Sequence, residues 1–102
     1  MKRPAYYCKL LVLTASLAIG CASIPTQEMS DARQALAAAR ETGAATQAPD
    51  NFNNAERLLD EAKQALDAGR YDQAREHAVA AKNEAVKARA KALQTQPPPS
   101  AK

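Results

Sequence analysis

The sequence predicts an all-α protein, in which a short apolar signal helix is followed by a small, alanine-rich helical hairpin or three-helix bundle over residues 27–94. Three observations carry this. Alanine and larger apolar residues recur at intervals of three and four along three separate stretches, the period of one helix face. Gly43 and Gly69 stand where the first two stretches run out, and glycine accepts the left-handed conformation that ends helices. Beyond Leu93, Pro97, Pro98 and Pro99 cannot continue a helix and favour an extended polyproline conformation.

The N-terminal segment is read from its length and flanks. Leu10 to Ile19 is an apolar run of ten residues interrupted only by Thr14 and Ser16, whereas a helix needs about 20 to span a bilayer. Lys2, Arg3 and Lys9 form a basic head, and the run closes on the small Gly20 ahead of Cys21. That order is the order of a secretion signal, with cleavage expected between Gly20 and Cys21. Residues 1–20 are thus expected to be a signal peptide, and residues 21–26 the mature N-terminus and a short tether.

The first helix is expected over about residues 27–42. Thr26 is placed to cap it, with Gln27 and Glu28 in the first turn, and Met29, Ala32, Leu36 and Ala39 share one face. Gly43 is the stop. A linker, Ala44 to Asp50, follows, in which Pro49 restricts Ala48 to extended geometry. The second helix is expected over about 51–68, capped by Asp50 or Asn51. Its face is Phe52, Ala55, Leu59, Ala62, Leu66 and Gly69, widened by Leu58 and Ala65. Arg57 with Glu61, and Asp60 with Lys63, have helix-surface ion-pair spacing.

The third helix is expected over about 72–94, after the tight turn Ala68 to Asp72 and with Asp72 as its cap. Its seam is Tyr71, Ala74, Ala78, Ala81, Ala85, Ala88 and Ala92. An alanine seam buries little area but lets helix backbones approach closely. Val79, Val86 and Leu93 lie beside it at intervals of seven and are expected to supply bulk. Residues 95–102 form a proline-rich tail, expected to be disordered. After the signal only one Phe, one Tyr and a handful of Leu and Val remain in about 80 residues, a thin core for a small domain. The alanine seam of the third helix is therefore expected to be completed by another chain.

The pentapeptide LAIGC, Leu17 to Cys21, resembles the lipobox of bacterial lipoproteins, with the leucine one place further from the cysteine than usual and Ala18 at the customary position. The resemblance implies a diacylglyceryl group on the Cys21 thiol, cleavage after Gly20 and frequent acylation of the new amino group. Two or more acyl chains anchor stably where one is marginal. Ala22 stands where an aspartate would retain such a protein at the inner membrane, so the resemblance implies the outer membrane, facing the periplasm. Of the two cysteines, Cys8 would leave with the signal and Cys21 would be alkylated, which leaves no thiol for a disulfide, a metal or nucleophilic chemistry.

Removing the signal also changes the charge. The chain holds 14 Lys and Arg against 11 Asp and Glu, and Lys2, Arg3 and Lys9 account for the whole excess. From Glu28 to Glu76 acids outnumber bases ten to six, while from His77 onward Lys82, Lys87, Arg89, Lys91 and Lys102 face Glu84 alone. Acids near helix starts and bases near the last helix end follow the helix dipole. A basic end of this kind also suits anionic polymers or lipid headgroups.

The runs SDARQALAAARETGA and APDNFNNAERLLDEAKQALDAGRYDQAREHAVAAKNEAVKARA resemble an uncharacterised helical domain of short bacterial envelope lipoproteins, sometimes found ahead of a peptidoglycan-binding outer-membrane-protein-A-like domain. The Gly69 to Tyr71 turn followed by Ala74, Ala78 and Ala81 is similar to half a tetratricopeptide repeat, but no closing proline and no second copy follow. A spacer leading to Lys102 resembles the alanine-zipper murein lipoproteins, in which a terminal lysine is joined to peptidoglycan; the prolines and helix breaks depart from their continuous coiled coils.

Catalytic signals are few. His77 is the single histidine and lies on a helix flank, and Glu56, Asp60 and Glu61 are interleaved with Arg57 and Lys63, as on a solvated charged face. Phosphate loops, metal-ligand spacings and nucleophile-base pairs do not occur, and Phe52 is isolated from the basic end, which disfavours nucleic acid. The expectation is a non-enzyme without cofactor or metal. It is held to the membrane at Cys21 and acts as a protein-interaction or scaffolding module in the cell envelope, binding an envelope protein or itself through helix faces. The alternative is a structural tether to peptidoglycan through Lys102.

Overall fold

The computed structural model describes residues 23–96. They form four helices, α1 (Thr26–Glu41), α2 (Ala44–Gln47), α3 (Pro49–Asp67) and α4 (Tyr71–Thr95). The three long ones make an up-down-up bundle, all-α as the periodicity predicts. Two core clusters fix the directions. At one end Leu36, Ala39, Ala44, Ala48 and Phe52 meet Ala85, Ala88 and Ala92. At the other Met29 and Ala32 meet Ala62, Ala78 and Ala81. The start of α1 therefore lies beside the start of α4 and the end of α3, so α1 and α4 run parallel and α3 runs against both.

Bulk and smallness are divided between the helices. α1 and α3 contribute Met29, Leu36, Phe52 and the half-buried Leu58, Leu59 and Leu66, whereas every buried residue of α4 is alanine: Ala74, Ala78, Ala81, Ala85, Ala88 and Ala92. Close approach explains the division. α4 packs against both long neighbours, and a seam of methyl groups leaves room for the larger side chains of α1 and α3 above it. The expectation that a second chain completes this seam is corrected, because α1 and α3 of the same chain already bury it. Nor do Val79, Val86 and Leu93 supply core bulk; they are 43%, 51% and 44% exposed.

Both predicted glycine stops hold. Gly69 has φ 76°, and the end of α3 is a complete Schellman motif: Gly69 N–H donates to the Leu66 carbonyl at 3.0 Å and Arg70 N–H to the Ala65 carbonyl at 2.8 Å. Gly43 has φ 78°, and its N–H donates to the Arg40 carbonyl at 3.1 Å. There the Ala39 carbonyl is taken by the Thr42 hydroxyl at 2.7 Å. A Cβ at either glycine meets nothing within 4 Å, so substitution costs only backbone conformation. Gly69→Ala is expected to lower stability by about 1–2 kcal/mol, read as a lower urea midpoint at unchanged slope. Gly69→Asn should retain most of the stability, since asparagine tolerates the left-handed region.

The helix starts differ from expectation. α1, α3 and α4 begin after Pro25, Ala48 and Arg70, and none has a side-chain cap hydrogen bond. Thr26, Asp50, Asn51 and Asp72 therefore do not cap. Pro25 is fully buried and its carbonyl accepts from Met29 N–H at 3.0 Å, so helix α1 is already closed one residue before Thr26. Pro49 occupies the first turn of α3, where its missing N–H costs no hydrogen bond and its fixed φ suits the helix. The linker is not a free strand of chain. Ala44 to Gln47 make the single turn α2, whose Ala44, with the following Ala48, is buried against the α3 and α4 alanines.

Candidate interaction surface

Three surface features bear on function. The first is a shallow depression of about 290 Å³ lined by Leu36 of α1 and Glu56, Leu59, Asp60 and Lys63 of α3. It is an open seam between helices that each lean on α4 more than on one another. The second, about 360 Å³, lies at the α3–α4 turn and is lined by Glu61, Gln64, Ala65, Ala68, Arg70, Gln73 and His77. His77 Nδ1 lies 3.4 Å from Glu61 Oε2, and Glu61 Oε1 accepts from Arg57 Nη1 at 2.6 Å. The three groups form an open, solvent-facing polar chain, and both partners of the His77 contact are about a third exposed. The predicted Arg57–Glu61 pair is present, whereas Asp60 accepts from Gln64 Nε2 at 3.0 Å instead of pairing with Lys63.

The third feature is the outward side of α4. Successive helix residues are about 100° apart, so Val86 is turned by that angle from the buried Ala85 and carries Val79 and Leu93 round with it. The spacing of seven puts the three on one stripe of the helix, and the placement of α1 and α3 leaves that stripe uncovered. Arg75, Lys82 and Arg89 run along the edge between this stripe and the alanine seam, on the flank of α1. Arg75 Nε reaches Glu28 Oε1 at 3.2 Å and Arg75 Nη2 donates to the Ser23 carbonyl at 2.9 Å. Ile24, next to Ser23, is 55% exposed.

The opposite edge of α4 faces α3 through a polar clasp that periodicity does not reveal. Asn51, expected as a cap, donates from Nδ2 to Glu84 Oε2 at 2.7 Å and accepts from Lys91 Nζ. Lys87 Nζ lies 3.5 Å from Glu84 Oε1. The Asn51 hydrogen bond, aided by the Lys87 charge and opposed by burial, holds the Glu84 carboxyl below the ordinary glutamate range. A carboxylate with a lowered folded-state pKa stabilises above its unfolded pKa, and that contribution is lost as pH falls through the folded value. Glu84→Gln is thus expected to cost about 1 kcal/mol at neutral pH for a partly exposed charged hydrogen bond. Thermal melts of both proteins should converge as the pH drops below the carboxylate range; a gap independent of pH would remove Glu84 ionisation as its cause.

Gly20, Cys21 and Lys102 lie outside the described residues. Among the described residues no group of His, Cys, Asp and Glu is arranged to hold a metal, and no helix is long and apolar enough to cross a membrane.

Residues 27–96 match the family model for a domain of unknown function, DUF4398. The chain belongs to this family. The match opens one residue inside α1 and closes one residue after α4, so the DUF4398 domain of this protein is the whole helical bundle, α2 included. No curated protein and no solved structure matches the chain.

Proposed function

We propose that the protein is a bacterial envelope lipoprotein in which acyl chains on Cys21 hold the DUF4398 bundle at a membrane, most naturally the periplasmic side of the outer membrane, where it works as a non-enzymatic interaction or scaffolding module. The observation that carries this reading is the segment Lys2 to Cys21, with its basic head of Lys2, Arg3 and Lys9, ten-residue apolar run and LAIGC exit. The bundle agrees with a contact role. Its single histidine is engaged with Glu61 on an open surface, its depressions are shallow, and three of its four large exposed apolar side chains, Val79, Val86 and Leu93, stand on α4.

Mass spectrometry of the mature protein from a bacterial envelope tests the anchor. The expected species begins at Cys21 and carries a diacylglyceryl group and an amide-linked acyl chain; an unmodified Cys21, or a chain that keeps Met1, overturns the reading. In vivo crosslinking from Gln73 and Lys82, both exposed on α4, identifies what the bundle touches.

A further inference from the structure

We infer that α4 lies along the membrane surface, with Val79, Val86 and Leu93 in the headgroup region and Lys82 and Arg89 on anionic phospholipid. The inference rests on the anchor reading and adds an orientation to it. Over 14 residues, about 21 Å of helix, the three side chains form a straight row that intrachain packing leaves open. Lys82 and Arg89 border it on the edge toward α1, while Lys87, on the far side, is engaged with Glu84 at 3.5 Å. From Val79 to Leu93 the single acid is Glu84, which is turned to Asn51 of α3. An apolar row bordered by cations is the pattern of an interfacial helix on an anionic bilayer.

Two further observations fix the occupant as lipid. The chain enters the bundle beside this row: Arg75, one turn before Val79, holds the Ser23 carbonyl, and exposed Ile24 follows. Cys21 is two residues from Ser23, so acyl chains at Cys21 would enter the bilayer near the row's N-terminal end. A second copy docked through the same row would instead bring like charges together. In a parallel α4 pair Lys82 meets Lys87, and in an antiparallel pair centred on Val86 it meets Arg89; both are repulsive. Asp72 and Glu76 lie at the α4 start, before the row's basic part, and Asp72 is paired with Arg75 at 3.4 Å.

The test uses the mature lipidated protein in vesicles. With Cys21 acylated and Cys8 removed, a cysteine placed by Val86→Cys, or by Asn53→Cys on exposed α3 as control, is the single labelling site for a fluorophore. In phosphatidylcholine–phosphatidylglycerol vesicles the position-86 probe is expected to be quenched by aqueous iodide several-fold less than the position-53 probe. The protection should fall in phosphatidylcholine alone, in high salt, and in the Lys82→Glu, Arg89→Glu double variant, which still floats with the vesicles. A floating protein whose position-86 probe is as accessible as position 53 overturns the orientation and leaves the anchor standing. Protection that is equal in both lipid compositions and disappears on diluting the protein among vesicles assigns the row to a second copy and also overturns it. Protein that fails to float overturns the anchor itself, and the orientation with it.

Discussion

Phe52→Ala is expected to lower the stability of the bundle by about 3–5 kcal/mol, toward the upper end of what removal of a buried phenylalanine costs. Phe52 is the single phenylalanine of the chain and is 3% exposed at the start of α3. Its neighbours decide the size of the effect. Around it stand Ala39, Ala44, Ala48, Ala55, Ala85, Ala88 and Ala92, with Leu36 the one larger buried side chain in the cluster and the half-buried Leu59 packed at its margin. A cavity collapses when adjacent side chains change rotamer to fill it, and alanine has no rotamer to change. Arg40, whose guanidinium lies 5.5 Å from the ring centroid, would also lose the surface it covers. A domain of about 70 residues holds only some 4–10 kcal/mol in total, so the variant should be close to unfolding at room temperature. Urea denaturation followed by circular dichroism reads this directly. A loss below about 1 kcal/mol, the range of ordinary surface changes and small trims, would mean that Phe52 is not the centre of that end of the core.

Ala85→Leu is expected to be nearly as disruptive for the opposite reason. Ala85 is fully buried on α4, in the cluster that joins α1, α2 and α3. Added carbons there must push a neighbouring helix away, and overpacking of a tight site costs about 1–3 kcal/mol or more. The shift would not stay local, because the α4 seam supports α1 and α3 together. Ala90→Leu makes the same chemical change on the exposed side of the same helix and should stay within about 0.5 kcal/mol of wild type. For a domain of this size the expected gap in melting temperature is roughly 4–8 °C per kcal/mol. Equal effects of the two substitutions would contradict the placement of the alanine seam between α1 and α3.

These two sites also mark how far the sequence could be read. Phe52, Ala55, Met29, Ala32, Leu36, Ala39 and all six α4 alanines were identifiable as core from spacing, and they are buried. The helix starts were not: Thr26, Asp50, Asn51 and Asp72 have the right chemistry for capping, but Pro25, Ala48 and Arg70 occupy the positions before the first turns. Capping propensity is worth only about 1 kcal/mol, and the buried Pro25 and Ala48 fix how the chain enters α1 and α3. The polar clasp between Asn51 and Glu84 joins residues 33 positions apart, and no local pattern records such a pairing. The single turn of α2 escaped for a similar reason. Four residues are too few to show a period, and Ala44 and Ala48 are buried by what surrounds them.

Local spacing by itself determined three long helices, their breaks at Gly43 and Gly69, and the face that each helix must bury. It determined as much because helical period and left-handed glycine are properties of neighbouring residues, set by backbone geometry before any tertiary contact forms. Only the tertiary structure decided what covers each face. Two bulky helices from the same chain close over the α4 alanines, while Val79, Val86 and Leu93, which look equally apolar in sequence, remain outside. A helix has a full circumference and its neighbours occupy only part of it, so exposure depends on where distant segments pack.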